Sequence, residues 1–282
     1  MTATMQSTAT SATPDARSRS PRRADRGLLS RLNALTGFVL LIVAWELVAR
    51  VGLIDPHVFA PLSEIVLRLG QLATTLEFWG MMMSTVRTWA LGLAIAVVGG
   101  FVLGLLIGLI PGARAFTHST IEFLRPIPSV ALVPAVILLV GGGFQSGLIL
   151  ITYAALWPML LQTLAGLDDV DPVARETARS FRFGRWMTVT DLVLPSVLPH
   201  LFTGFRISAS IALVLAVTSE MVIGTFGLGQ GIALAQSAAD TTKMYGLVIV
   251  AGLLGVAVNL GTRTLEKRAL RWHATVRNAE AA

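Results

Sequence analysis

The stretch ETARSFRFGRW, residues 176–186, places Glu176, Arg179, Arg182 and Arg185 in a chain that otherwise avoids charge. Its residues are suited to recognition. Arg175, Arg179 and Arg182 fall at i, i+4 and i+7, with Ala174, Ala178 and Phe181 forming a small apolar face beside them, so the spacing predicts a short amphipathic helix. Asp171 and Pro172 supply its cap and first-turn proline. Such a helix fits two settings. In one, the apolar patch enters a groove on a partner and the charges give orientation more than affinity. In the other, it lies on lipid headgroups with its arginines toward anionic lipid and Trp186 at the interface. Nine charges lie between Asp168 and Asp191, and burying them at about 2.5–3.5 kcal/mol each would cost on the order of 20 kcal/mol. The segment belongs in water.

Other chemistries are poorly provided for. The chain has no cysteine, which excludes disulfides, zinc–thiolate sites and thiol nucleophiles. The four histidines (57, 118, 200 and 273) are far apart and form no HExxH pair, and there is no nucleophile elbow. The only lysines, Lys243 and Lys267, follow Thr242 and Glu266, not the glycine that a phosphate-binding loop needs. The glycine-rich GLGQG (227–231) has no cation and reads as a turn or short re-entrant piece. No bound cofactor, metal or covalent catalysis is expected. Ionisable groups within apolar segments are the remaining candidates: Arg206 and Glu220 are candidates for a gate or pathway, against the alternative of a structural ion pair or hydrogen bond. An arginine suits a small oxyanion by planar, bidentate hydrogen bonding. Glu46 and Arg50, one turn apart, pair or snorkel at an interface, and Arg87 anchors at one.

The elements that carry these residues are membrane spans. Of 282 residues, 54% are hydrophobic and 13% charged, with a mean hydropathy of +0.72, against about a quarter charged in soluble domains. Apolar segments run from Leu32 to Ile54, Thr88 to Ile110, Ile127 to Leu167 (broken into two by GGGFQSG at 141–147), Ser196 to Ile223 and Met244 to Thr262. The expected fold is all-α and polytopic, with six spans. Gly100, Gly104 and Gly108 mark a packing groove on the second span, within one chain or between two, and Pro126, Pro128 and Pro134 predict a bent third span. Seventeen of the 22 Lys and Arg residues fall on the side that holds both ends, so both termini are expected in the cytoplasm. That bias accounts for the basic pI without nucleic acid. Residues 1–31, with six arginines, read as a disordered basic tail, 32–273 as the membrane domain and 274–282 as a second tail. A transit peptide is disfavoured at the start by Asp15 and Asp25.

The stretch ETARSFRFGRWMTVTDLVLP resembles the EAA motif of ABC-transporter permeases. Glu176, Thr177 and Ala178 occupy its first three places, and Leu192-Val193-Leu194-Pro195 closes it. Arg182 stands where the motif has glycine, and Gly184 is expected to take over the turn. FAPLSEI (59–65), EFLRPIPSVALVPAVILLVGGG (122–143), LPSVLPHLFTGFRI (194–207), SEMV (219–222) and GLGQGI (227–232) are similar, in order, to permeases for aliphatic sulfonates, taurine and nitrate. The resemblance implies a type I importer permease of the bacterial inner membrane, working as a pair. It implies two cytoplasmic ATPase subunits, which use the ATP and Mg, and an extracytoplasmic solute-binding protein. Residues 173–186 would then be the helix that couples ATPase closure to the membrane, with Glu176, Thr177, Ala178, Phe181, Arg182 and Gly184 as its key positions. A permease for a heterocyclic vitamin precursor is left open. An ion-gradient-driven transporter would need midplane acids or a sodium cage in two repeated halves, and the sequence shows no convincing repeat.

Overall fold

In the computed structural model, residues 23–270 are described apart from 53, 56 and 57, with side chains from residue 36 onward except those of 38 and 185. Most of the expected N-terminal tail and all of the C-terminal tail lie outside these residues. Helix α1 spans Arg23–Arg50; it starts ahead of the expected boundary at Leu32, and no proline lies between Pro21 and Pro56 to interrupt it. Helix α2 (Leu62–Ala73) and the 34-residue α3 (Leu76–Leu109) follow. At about 1.5 Å per residue α3 is about 50 Å long, well over the roughly 30 Å hydrocarbon layer. Thr75 caps it, its hydroxyl accepting from the Phe78 amide at 3.3 Å.

The third expected span does not form as one helix. Helix α4 (Ala113–Leu124) ends before Pro126 and Pro128, and the chain resumes as a 3-10 turn, Ser129–Leu132, and the eight-residue α5, Val133–Val140. The two arms meet at 81°. Pro134 falls in the first turn of α5, where a missing amide costs no helical bond, so Pro126 and Pro128 make the break. Tyr153 donates its hydroxyl proton to the Leu124 carbonyl at 2.6 Å, satisfying an acceptor exposed there. The glycine turn follows, with Gly141 at φ +83°.

Helix α6 (Phe144–Asp168) leads to α7 (Pro172–Ser180), a three-residue turn α8 (Arg185–Met187), a π-helical turn Thr188–Val193 and α9 (Leu194–Ile223). Helices α10 (Leu228–Ser237) and α11 (Thr241–Ala269) complete the described chain. Among the described residues four helices are long and apolar enough to cross a membrane: α3, α6, the continuous Thr188–Ile223 helix and α11. The bent α4–α5 pair makes a fifth if taken as one span. The expected count of six is therefore corrected to four or five. The third expected segment, from Ile127 to the glycine turn, forms only a 3-10 turn and the eight-residue α5, and the first apolar segment lies on α1, which is not among the four.

Helices α3, α6 and α9 form the core. Leu93 and Ala96 of α3 meet Ile151 and Ala155 of α6 and Ala209, Ala212 and Ala216 of α9. Small residues let the backbones approach, which matters in lipid, where burying apolar surface gives no driving force between helices. Polar ties reinforce the triad. Ser208 donates to the Ala155 carbonyl at 2.7 Å, and the Trp89 indole donates to the Ala209 carbonyl at 2.9 Å.

Candidate functional site

The polar elbow between α6 and α9 is built from the chain outward. Asp171 accepts the Val173 amide at 2.8 Å and starts α7. The helix ends in a two-bond Schellman closure: the Arg182 amide donates to the Arg179 carbonyl at 3.0 Å, and the Phe183 amide to the Ala178 carbonyl at 2.9 Å. That closure requires a left-handed residue, and Arg182 adopts it at φ +53°. Gly184, expected to take over the turn, has no positive φ; it instead accepts the Thr188 amide at 2.9 Å. The motif's glycine position is thus the turn itself, occupied here by arginine.

The faces of α7 also differ from expectation. The helix ends at Ser180, so Arg182 lies in the turn and not on a helical stripe with Arg175 and Arg179. Ala178 and Phe181 do not share one patch. Ala178 is 5% exposed and turns inward, toward a cavity of about 260 Å³ bordered by Gly108, Leu167 and Val193, whereas Phe181 is 74% exposed. Val173 and Trp186 of the elbow are likewise exposed, at 68% and 80%. Arg175 turns back and donates to the Leu167 carbonyl at the end of α6. Glu176 and Thr177 are exposed. The Thr177 hydroxyl is used locally on the Val173 carbonyl at 2.8 Å, while the Glu176 carboxylate has no partner among the described residues.

Behind the elbow, two adjacent acids tie α6 to its neighbours. Asp168 takes both Nη1 and Nη2 of Arg114 at 2.5 and 2.7 Å, joining α6 to α4. Asp169 Oδ2 lies 2.8 Å from His200 Nε2, joining the end of α6 to α9, and His200 Nδ1 lies 3.4 Å from Gln162 Oε1. Sequence reasoning named neither pair, since each joins residues at least 31 positions apart.

The two candidate pathway residues sit apart, about 21 Å along α9. Arg206 reaches α11, with Nε 3.2 Å from Asn259 Oδ1 and Nη1 3.9 Å from Glu266 Oε2. Glu220 is 1% exposed. Its Oε2 accepts from the Thr85 hydroxyl at 2.8 Å and the Gly229 amide at 3.0 Å, and the Thr85 oxygen accepts the Leu228 amide at 2.9 Å. A carboxyl at a helix N-terminus meets unsatisfied donors and the positive end of the dipole, so Glu220 and Thr85 hold the start of α10 against α3. A Cβ on Gly227 would stand 2.2 Å from Glu220 Cδ, and one on Gly229 2.0 Å from the Val217 carbonyl. Gly227 and Gly229 of GLGQG therefore let the start of α10 close on Glu220. Both pathway candidates are engaged within the chain.

The glycine stripe packs within the chain as well. A Cβ on Gly100 would stand 2.8 Å from the Leu156 carbonyl oxygen, on Gly104 2.6 Å from Thr163 Cβ, and on Gly108 2.3 Å from Leu167 Cδ1. All three neighbours belong to α6. On the opposite side of the bundle, Glu46 binds Arg50 Nε at 2.6 Å and accepts the hydroxyl and amide of Ser63 at 2.7 and 3.1 Å, so FAPLSEI is stitched to α1. The Arg87 guanidinium lies 5.4 Å from the centre of the Phe144 ring. Among the described residues no group of three His, Cys, Asp or Glu side chains is arranged to hold a metal.

Residues 100–271, more than half of the chain, match the family described as binding-protein-dependent transport system inner membrane component. The putative aliphatic sulfonates transport permease protein of Bacillus subtilis is 27% identical over 233 residues, covering 83% of this chain and 84% of that one. The taurine transport system permease protein of Escherichia coli is 28% identical over 242 residues, covering 84% and 88%. Among solved structures, a chain of an amino acid ABC transporter superposes with a TM-score of 0.56 at 20% identity, over 72% of this chain and 97% of that one. This last likeness is one of fold.

Proposed function

Since this chain belongs to the family of binding-protein-dependent transport system inner membrane components, we propose that it forms half of the membrane pathway of an ATP-driven importer for a small anionic solute. The solute is of the aliphatic sulfonate, taurine or nitrate class. A solute-binding protein delivers it from outside, a second copy of the chain completes the pathway, and two ATPase subunits, which bind the ATP and Mg, drive the cycle from the cytoplasm. Counting α1 and the bent α4–α5 pair as spans gives six, with both termini cytoplasmic; the bias of basic residues supports that orientation.

The observation that carries the reading is the elbow. There Phe181, Val173 and Trp186 are exposed, as is Glu176, whose carboxylate has no partner among the described residues, a combination of apolar anchor and orienting charge suited to a protein groove. Its inward surface is bolted to the bundle through Ala178, Arg175 and the adjacent acids of α6. A push on α7 therefore moves α6 and α9 together. The sulfonate and taurine relatives support the solute class, and an oxyanion suits a chain with a net charge of +6. Glu176→Ala in the assembled importer should leave the protein in the membrane and lower ATP-dependent uptake at least about tenfold, roughly 1.4 kcal/mol of lost docking. Unchanged uptake would refute the coupling role.

A further inference from the structure

Helix α4 is amphipathic in an inverted sense. Arg114, His118 and Glu122, with Arg125 at its end, fall on one stripe. Phe116 and Phe123 lie on the other side, 87% and 72% exposed. The charged stripe looks toward α6 across a cavity of about 840 Å³, whose far wall includes Leu161, Leu164 and Ala165. Charges do not pack dry against such a wall, and ionisable residues of a membrane bundle characteristically face water-filled spaces.

Two arginines, Arg114 and Arg125, face two carboxylates, Asp168 and Glu122, in this cavity, but these charges are not all paired. Asp168 takes up Arg114, and His118 lies 3.5 Å from Glu122. The guanidinium of Arg125 has no partner among the described residues. Its planar fork matches two oxygens of a sulfonate, sulfate or phosphate, and the volume lies within the range of ordinary ligand pockets, about 300–1,000 Å³. We infer that the α4–α6 cavity is a binding site for a small oxyanion, held by Arg125 with Arg114 beside it. Its location on the arginine-rich face next to the elbow makes it a station for solute on the release side. That role rests on the importer reading, whereas the binding chemistry does not. An anion bridging Arg125 and Arg114 competes with Asp168, and so loosens the tie between α4 and the end of α6.

The native chain has no cysteine, so Ala165→Cys supplies a single reporter in the cavity wall. The assembled transporter is placed in phosphatidylcholine nanodiscs, and modification of this chain by a negatively charged sulfonatoethyl methanethiosulfonate is followed by intact mass. Methanesulfonate should slow the reaction, whereas its uncharged analogue dimethyl sulfone should not. Arg125→Gln should raise the half-protecting concentration about tenfold, without changing the rate with a neutral methanethiosulfonate. Should that neutral rate change, Arg125→Lys, which keeps the charge and loses the fork, carries the comparison and should show a smaller loss. Discs containing phosphatidylglycerol separate the sources: protection before methanesulfonate is added identifies a lipid phosphate as occupant, and its absence identifies free solute. Equal protection by dimethyl sulfone, or protection indifferent to Arg125, overturns the site. Uptake is measured in parallel on the unsubstituted complex; if uptake fails while protection persists, the importer reading falls and the site stands.

Discussion

Arg182→Gly should tighten the elbow. Arg182 holds φ +53° without the freedom of glycine, and a left-handed L-residue costs roughly 1–2 kcal/mol through the approach of Cβ to the carbonyl. Glycine removes that cost but loses more chain entropy on folding, about 0.5–1 kcal/mol. The net gain is about 0.5–1 kcal/mol, or about two- to fivefold in the local opening equilibrium. The amides that report it are those of Arg182 and Phe183, which bond the Arg179 and Ala178 carbonyls at the end of α7. Native-state hydrogen exchange on the assembled transporter should show slower exchange at both positions by that factor, with uptake within about twofold of the unsubstituted chain. Gly184→Ala is the control: Gly184 has no positive φ, and nothing lies within 4 Å of its added Cβ. Its effect should stay within about 0.5 kcal/mol. Faster exchange in Arg182→Gly, or a larger effect at Gly184 than at Arg182, would show that the strain is not stored where the backbone places it. Normal exchange with lost uptake would instead assign the Arg182 side chain a contact with a partner.

Along α3, Gly100→Ala and Gly104→Ala should each destabilise by about 1–3 kcal/mol in thermal unfolding, because their new Cβ meets a backbone carbonyl or a stiff threonine Cβ; Gly108→Ala should cost less, since the clash is with the mobile tip of Leu167. Glu220→Ala removes the buried acceptor of the Thr85 hydroxyl and the Gly229 amide and should cost about 1–3 kcal/mol, read as faster exchange of the Leu228 and Gly229 amides, while Glu220→Gln keeps an acceptor and most of the protection. Arg114→Ala should change global stability by no more than about 1 kcal/mol, because the pair with Asp168 is half exposed on both sides; a larger loss would mean that the clamp works as a buried pair.

The candidate residues named in advance divide by their range of interaction. Glu176, Phe181 and the Asp171 cap act through local helix chemistry and outward exposure, and a short charged helix between apolar segments is legible from spacing alone. The splitting of Ala178 from Phe181 was not legible, because whether a helix ends at residue 180 or runs on decides which way Phe181 points. Glu220 was visible as an acid in an apolar segment. Its role depends on Thr85, 135 residues away, and on the return of α10, which no local pattern encodes. The same holds for Arg206 with Asn259 and Glu266.

By itself the sequence determined that the chain is a helical membrane protein, because a long uncharged run must satisfy its backbone internally and a cluster of nine charges must stay wet. It also placed a bend among Pro126, Pro128 and Pro134, of which the first two make the break. Only the tertiary structure decided that the Gly100–Gly104–Gly108 stripe closes on α6. It alone decided that Arg182 carries the left-handed turn and that the charged stripe of α4 borders a cavity in which Arg125 has no partner among the described residues. For the stripe and the cavity the physical reason is the same: local sequence sets which groups must be packed or satisfied, while the neighbour that does so comes from a distant segment brought close by packing. The turn at Arg182 differs, being closed locally by the Arg182 and Phe183 amides on the Arg179 and Ala178 carbonyls, and what the sequence left open there was which of two neighbouring residues would take the left-handed conformation.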